Sequence, residues 1–187
     1  MIRVLIFFFA ASIAGCASRP VHPEPTTQLP ESERTLKDIS VFIAAIAQAK
    51  TVTVYEGLPH QAFEQDAYAI EVKRTDLVWF EGFPFYAKPL NVQDADKKSL
   101  TAIVSRPTAH VPFRGYKACG GYHPDYAVIW TDRDGKKSGS LICFGCHEWK
   151  NFTPAGRLYE DLEKNAYDEL RAILTKYVKQ RPQRKEQ

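Results

Sequence analysis

The stretch Cys119-Gly-Gly-Tyr-His-Pro-Asp-Tyr126, followed by Cys143-Phe-Gly-Cys-His147, decides the fold that this sequence predicts. An apolar run at 126–130 begins at the end of the first stretch, and a second apolar run at 140–144 leads into the other stretch. The turn sequence Asp132-Arg-Asp-Gly135 lies between the two runs. Aspartate followed by glycine is a strong β-hairpin signal, and short apolar runs on either side are typical of buried strands. The sequence therefore predicts a β-hairpin with cysteines at both of its open ends.

Helices are predicted on both sides of this hairpin along the chain. Residues 31–50 carry apolar side chains three and four positions apart, which is the spacing of one buried helix face. A short strand is predicted at 148–152, and Thr153 with Pro154 then has the chemistry of a helix N-cap and first helical residue. The apolar stripe that follows predicts a long C-terminal helix over 154–178.

The part of the chain between the first helix and the hairpin contains further short elements. Strands are predicted at 51–55 and 77–80, helices at 61–74 and 91–105, and an extended, kinked continuation at 82–86. Helices near both ends with antiparallel strands between them are typical of the α+β class. We therefore expect one α+β domain over residues 31–180. A small antiparallel sheet with the cysteine-flanked hairpin would be packed by an N-terminal and a long C-terminal helix.

The amino-terminal segment has the layout of an export signal that ends in a cysteine. Arg3 is followed by an uncharged apolar run over residues 4–14, which is too short to span a bilayer. The run ends in Ile13-Ala-Gly-Cys16, which resembles the lipobox of bacterial lipoproteins. The resemblance implies that residues 1–15 are a signal peptide and that Cys16 carries the acyl chains that anchor the protein to a membrane.

The segments that flank the domain are predicted to be solvated. Residues 16–30 contain four prolines and almost no apolar side chains, so we expect an extended tether after the lipidated cysteine. The basic end at 181–187 is predicted to be a tail. In lipoproteins that are sorted by the residue after the cysteine, aspartate retains them at the inner membrane. Ala17 therefore favours the outer membrane, with the domain facing the periplasm.

The charge balance argues against nucleic acid as a partner. The formal net charge is +3, and it falls to +2 when Arg3 leaves with the signal peptide. Bulk nucleic-acid binding is typical of far more basic domains. The partners that we expect are the membrane, through the lipid anchor, and a second protein of the cell envelope.

The cysteines are the residues most suited to chemistry, and lipidation reduces the number of thiols that remain available. The chain has 4 cysteines, so Cys119, Cys143 and Cys146 remain once Cys16 is acylated. A Cys-x3-His and a Cys-x2-Cys at the two open ends of a hairpin resemble the layout of a zinc ribbon. Together with His123, the three thiols would make a tetrahedral structural zinc site.

A disulfide is the second alternative. In this alternative the hairpin would bring Cys119, which precedes one strand, within bridging range of Cys146, which follows the other strand. Such a bond suits an oxidising compartment and would stabilise the fold by about 3 kcal/mol. A Cys143–Cys146 bond is the redox form of this alternative, because Cys-x-x-Cys resembles the motif of thiol oxidoreductases.

Haem is the third alternative, and a region without any ligand is the fourth. The sequence Cys143-Phe-Gly-Cys-His147 resembles the attachment motif of c-type haem, which implies thioethers at Cys143 and Cys146 and an axial ligand at His147. The chain has 1 methionine, Met1, which leaves with the signal peptide, so a methionine axial ligand is excluded. In the fourth alternative the cysteines are buried as small apolar side chains.

Histidines outside the cysteine motifs are weaker candidates for chemistry. His60 follows a Gly-Leu-Pro turn, and it could face the same site as His123 and Asp125. A His–Asp pair there would suit general-base catalysis. However, the sequence contains no nucleophile elbow, phosphate-binding loop or zincin motif, so it predicts no catalytic residue.

Several motifs together resemble one group of proteins. They are Tyr55-Glu-Gly-Leu-Pro-His60, Gly82-Phe-Pro-Phe-Tyr86, and Cys119-Gly-Gly-Tyr-His-Pro-Asp-Tyr126 with Cys143-Phe-Gly-Cys146. The group is an uncharacterised set of bacterial, often lipid-anchored proteins, and the resemblance implies no activity. We therefore predict a membrane-anchored, non-enzymatic module for structure, metal binding or interaction. The alternative is a periplasmic redox protein that uses Cys143 and Cys146 as a thiol pair or a c-type haem site.

Overall fold

The computed structural model of this chain describes residues 38–115, 117–177 and 180–182. The predicted signal peptide, the predicted lipid-carrying Cys16 and the tether lie outside these residues, as do residues 183–187 of the basic end. None of the helices in the described ranges combines the length and the apolar character that a membrane crossing requires.

The domain is built on a six-stranded antiparallel sheet. In their order across the sheet, its strands are β1 (Thr51–Glu56), β5 (Tyr126–Thr131), β6 (Lys137–Cys143), β7 (Glu148–Thr153), β8 (Gly156–Leu162) and β4 (His110–Pro112). A separate hairpin consists of β2 (Leu77–Phe80) and β3 (Phe83–Tyr86). The helices are α1 (Ile39–Ala47), α2 (Gln65–Glu71), α3 (Asp94–Val104) and α4 (Lys164–Leu174). The α+β prediction is confirmed, and so is the antiparallel hairpin of β5 and β6.

Two apolar layers cover the two faces of this sheet. Helices α1, α3 and α4 bury one face, where Phe42, Leu100 and Leu170 belong to the same core as Trp149. The β2–β3 hairpin packs on the other face, and the buried residues there are Phe80, Phe85, Ala127, Ile129, Leu141 and Phe152. Successive side chains of a strand point to opposite faces, so β5 supplies both layers with neighbouring residues.

The predicted long C-terminal helix is wrong in its first part, which is a strand. Thr153 pairs with Gly156 across a two-residue turn, and the Thr153 hydroxyl accepts a hydrogen bond of 3.0 Å from the Ala155 amide. Pro154 occupies the second position of this turn. The fixed φ of proline suits that position as well as it suits the first residue of a helix. The sequence signal was therefore ambiguous, and β8 follows where a helix was expected.

The helix itself begins later, at Lys164. The Glu163 carboxylate caps it by accepting hydrogen bonds of 2.8 and 3.1 Å from two amides of the first turn. Leu158 and Leu162, which contributed to the predicted helical stripe, belong to β8. Residues four apart share a face in a strand as well as in a helix, so their spacing could not separate the two.

The predicted and the observed bounds of other helices and strands differ by smaller amounts. The extended continuation predicted at 82–86 instead reverses direction, because Glu81 and Gly82 have φ of 52° and 82° and form the turn of the β2–β3 hairpin. Helix α1 begins at Ile39, since Asp38 is its N-cap with extended backbone. Helix α2 is shorter than the predicted helix, and strand β4 was not predicted.

Candidate functional site

Cys119 and Cys146 form a disulfide in the structure. Their sulfur atoms lie 2.14 Å apart and their Cα atoms 5.5 Å apart, at a sequence separation of 27. Cys119 lies in the loop before β5 and Cys146 in the turn between β6 and β7, so the bond ties the loop to the sheet. Of the alternatives that the sequence leaves open, the disulfide is the one that the structure contains.

The predicted zinc site does not form. Two of its ligands, Cys119 and Cys146, are bonded to each other. The Nε2 atom of His123 lies 2.8 Å from the carbonyl oxygen of Leu58. Among the described residues, no group of three or more His, Cys, Asp or Glu side chains is arranged to hold a metal ion. The hairpin brings two sulfurs close enough to bond, which removes the thiolates that zinc requires.

The predicted haem and thiol-pair sites do not form either, because both need Cys146 as a free thiol or as a partner of Cys143. Cys143 is 1% exposed, and its sulfur accepts a hydrogen bond of 3.2 Å from the Cys146 amide. Burial raises the pKa of Cys143 to about 12, so this thiol is protonated at neutral pH. The His147 ring, the predicted axial ligand, stacks on Tyr167 at a centroid distance of 4.0 Å.

His60 and His123 lie together, but they do not form an acid–base site with Asp125. The two ring centroids are 4.6 Å apart. Asp125 Oδ1 lies 3.9 Å from His123 Nδ1, beyond hydrogen-bond distance, and binds Arg181 at 3.2 Å instead. Burial lowers the pKa of His123 to about 4 and also lowers that of His60. Both rings are therefore neutral at neutral pH, and His123 is too weak a base for the role that the sequence suggested.

Arg181 fastens the C-terminal segment to the end of the sheet. Its Nε donates a hydrogen bond of 2.7 Å to the Gly57 carbonyl, and its remaining nitrogens bind the side chain and the carbonyl of Asp125 at 3.2 Å each. The other carboxylate oxygen of Asp125 accepts a hydrogen bond of 2.8 Å from the Phe144 amide. The prediction of a solvated basic tail at 181–187 is therefore wrong for its first residue, and residues 183–187 lie outside the described part of the chain.

A cleft with a volume of about 290 Å³ opens beside this clamp. One wall is a face of α4 and its C-terminal end, which contributes Tyr167, Arg171 and Thr175. These residues are four positions apart and therefore lie on one side of the helix. The facing wall combines strand ends, the β6–β7 turn and the clamp, and consists of Glu56, Asp125, Tyr126, Phe144, Gly145 and Arg181.

The charges in the cleft are not equally available to a ligand. Asp125 is paired with Arg181, and Glu56 accepts a hydrogen bond from the backbone amide of Gln180. The exposed Arg171 guanidinium donates a hydrogen bond of 3.2 Å to a neutral group, the Tyr167 hydroxyl. Within the described ranges, no carboxylate lies in ion-pair distance of Arg171. The cleft therefore offers an available cation beside aromatic surface.

Sequence reasoning missed the cleft. The four-residue spacing of Tyr167, Arg171 and Thr175 was a usable signal, because it places a cation and an aromatic ring on one helix face. The facing wall had no such signal. Glu56 and Phe144 lie far apart in the chain and line the same cleft because β1, β5 and β6 are neighbours in the sheet.

Comparison with known proteins assigns neither a family nor a function to this chain. No protein family matches this chain, and neither a curated protein nor a solved structure does. The resemblance to an uncharacterised group of lipoproteins therefore stays a prediction that rests on the motifs themselves.

Proposed function

We propose that this protein is a lipid-anchored, non-enzymatic binding module of the bacterial cell envelope. It is attached through Cys16 and faces the periplasm, at the outer membrane. The observation that carries the proposal is the disulfide between Cys119 and Cys146. Disulfides persist in oxidising compartments, so the bond supports the export that the residues before Cys16 predict. The two features are independent, because one is a covalent bond within the domain and the other is a motif outside it.

The chemistry of the remaining candidate groups favours binding over catalysis. The Cys143 thiol is buried and protonated at neutral pH. His123 is a weak base whose Nε2 is hydrogen-bonded to a backbone carbonyl. Asp125 is neutralised by Arg181. These contacts hold the end of the sheet together and leave none of these groups poised to attack or deprotonate a substrate.

We place ligand binding in the cleft beside Arg181. A guanidinium such as that of Arg171 binds carboxylates and phosphates through paired, charge-assisted hydrogen bonds. The rings of Tyr126 and Phe144 add apolar surface to the same cleft. We therefore infer a ligand that joins an anionic group to a planar or apolar one. A volume of about 290 Å³ encloses a small molecule or one or two side chains of a partner.

The anchor is tested by metabolic labelling with an alkyne analogue of palmitate in a bacterial host. Wild type should be labelled, and so should Cys143→Ala, which removes a cysteine outside the lipobox. Cys16→Ser should not be labelled. Counting thiols with a maleimide on the denatured, non-reduced protein should find Cys143 alone, because the other two domain cysteines are bonded. Labelling of Cys16→Ser would refute the anchor. Reduced Cys119 and Cys146 in freshly isolated protein would refute the oxidising compartment.

Ligand binding is tested by NMR titration with benzoate, an anionic planar probe, and with benzamidine, its cationic counterpart. We expect saturable benzoate shifts at the amides of Gly145 and Thr175, and none with benzamidine. Arg171→Gln should weaken benzoate binding by about tenfold or more, since a hydrogen bond to a charged group contributes about 1.5–3 kcal/mol. Arg133→Gln, in the exposed β5–β6 turn, is the matched control and should bind as wild type does. Equal affinities of wild type and Arg171→Gln would refute the assignment.

A further inference from the structure

Lys150 projects from β7 into a cluster of aromatic rings on the sheet face that the β2–β3 hairpin covers. Its Nζ lies 4.4 Å from the ring centroid of Tyr122, 4.9 Å from that of Phe83 and 5.0 Å from that of Tyr159. Tyr122 meets the other two rings edge to face, at centroid distances of 5.4 and 5.6 Å. The amine therefore has ring carbon on several sides where an exposed lysine would have water.

The amine also lacks an acidic partner that would hold it in the charged form. Across the described ranges, no carboxylate lies in ion-pair distance of Lys150 Nζ. The two carboxylates whose charges act on it, Glu148 and Glu81, are engaged elsewhere. Glu148 pairs with Lys117 at 3.0 Å, and Glu81 pairs with Arg157. Each contact with a ring face offsets about 0.5–2 kcal/mol of the lost hydration.

This environment lowers the affinity of the amine for a proton. Burial lowers the pKa of Lys150 to about 8, although the nearby carboxylates act in the opposite direction. At pH 7 roughly a tenth of the amine is then neutral, against ~0.0004 for an ordinary lysine. The titratable and charged groups that face the amine are Glu81, Tyr122, Cys143, Glu148, Arg157 and Tyr159. Burial raises the pKa values of the two tyrosines and of Cys143, so these groups stay neutral around pH 8.

We propose that Lys150 is a nucleophilic amine that condenses with small aldehydes to form an imine. The uncharged Nζ attacks the carbonyl carbon to give a carbinolamine, and loss of water leaves a carbon–nitrogen double bond. The carbonyl oxygen departs with the two amine hydrogens, so the step needs no oxidant, reductant or further reactant. Lys150 as a residue is partly exposed, and the reaction requires that a small aldehyde reach Nζ. This site lies outside the cleft, and the proposal does not depend on ligand binding there.

Formaldehyde with cyanoborohydride is the probe, because reduction converts the imine into an N-methyl lysine that peptide mass spectrometry locates. Lys98, which is exposed on α3, serves as the reference within the same folded protein. Relative to an ordinary lysine, the larger neutral fraction favours Lys150 by roughly 200-fold at pH 7. The lower intrinsic reactivity of a less basic nucleophile offsets about tenfold of this, for a Brønsted slope of about 0.45 as found for thiols. We therefore expect Lys150 to be methylated about 20-fold faster than Lys98.

The preference for Lys150 should shrink as the pH rises toward 10, because the difference in neutral fraction becomes smaller. It should disappear in guanidinium chloride, because unfolding removes that difference. Phe83→Ala opens one side of the ring cluster to water, so it should slow the methylation of Lys150 relative to that of Lys98. Ile70→Ala, at an exposed apolar residue of α2, is the matched control and should leave the ratio unchanged. Methylation of Lys150 no faster than that of Lys98 in the folded protein at pH 7 would overturn the proposal. A ratio that Phe83→Ala leaves unchanged would also overturn it.

Discussion

Replacing Cys119 and Cys146 together by alanine measures how much the disulfide contributes to folding. The bond joins residues at a sequence separation of 27. Cross-linking a loop of about that length removes roughly 12 cal/mol/K of entropy from the unfolded chain, or about 3.5 kcal/mol at 25 °C. Cys146 is also 1% exposed, so its truncation adds a smaller loss of packing. We expect the double variant to lose about 3–4 kcal/mol of the free energy of unfolding.

Urea unfolding followed by tryptophan fluorescence measures this loss, because Trp130 and Trp149 are 1% and 0% exposed in the core. For a domain of this size, a loss of about 3.5 kcal/mol corresponds to a decrease in Tm of roughly 7–14 °C. Wild type with reductant should lose as much as the double variant without it. Cys143→Ala keeps the bond and is the matched control, so its stability should still respond to reductant.

A loss below about 1 kcal/mol in the double variant would refute the entropic reasoning, since it would mean that the bond barely restricts the unfolded chain. A large loss in the double variant, without any effect of reductant on wild type, would assign the loss to the side chains of Cys119 and Cys146. Three reactive thiols in the oxidised domain would refute the pairing itself.

Three further predictions follow from other positions in the fold. Gly57→Ala should destabilise the domain strongly, because the added Cβ would lie 2.1 Å from the Pro124 carbonyl oxygen; its urea midpoint checks this. Glu163→Ala removes the side chain that accepts hydrogen bonds from two first-turn amides of α4, and it should lower the free energy of unfolding. Stability should fall as the pH drops from 6.5 to about 4, because burial keeps folded His123 unprotonated where the unfolded ring binds a proton. His123→Gln should flatten this dependence of the urea midpoint on pH.

Each of these predictions has its own control. Gly145→Ala places its Cβ where no heavy atom outside the adjacent residues lies within 4 Å. A loss as large as that of Gly57→Ala would therefore contradict the steric explanation. Asp168→Ala removes an exposed carboxylate from the same helix that Glu163 caps, and it should cost less than Glu163→Ala. An unchanged pH profile in His123→Gln would assign the titration to other groups.

Local sequence predicted the strands better than it predicted the C-terminal helix. Strand β2 has the predicted bounds, and β1 and β5 each extend one residue beyond theirs. Their apolar or β-branched runs end at turn residues, and that information lies within a few positions. The segment that became β8 was ambiguous, because Pro154 suits a turn as well as a helix start. Its pairing with β7 and β4, the two strands on either side of it in the sheet, decided the outcome.

The cysteine motifs posed a different problem. Zinc, a disulfide, haem and inert thiols use the same side chains at the same spacing, so the choice depends on distances of a few ångströms. Cys119 and Cys143 are both candidate partners for Cys146 in the sequence. In the structure the first is bonded to it, whereas the second accepts a hydrogen bond from its amide.

By itself, the sequence determined the α+β class and the hairpin between the cysteines, and it predicts the lipid anchor at Cys16. These inferences depend on spacing and turn chemistry within short segments. Only the tertiary structure decided that Cys119 pairs with Cys146, that Arg181 clamps the end of the sheet and that rings surround Lys150. Each of these depends on residues distant in the chain, and on burial, which sets the pKa of a thiol or an amine and which no local pattern of residues contains.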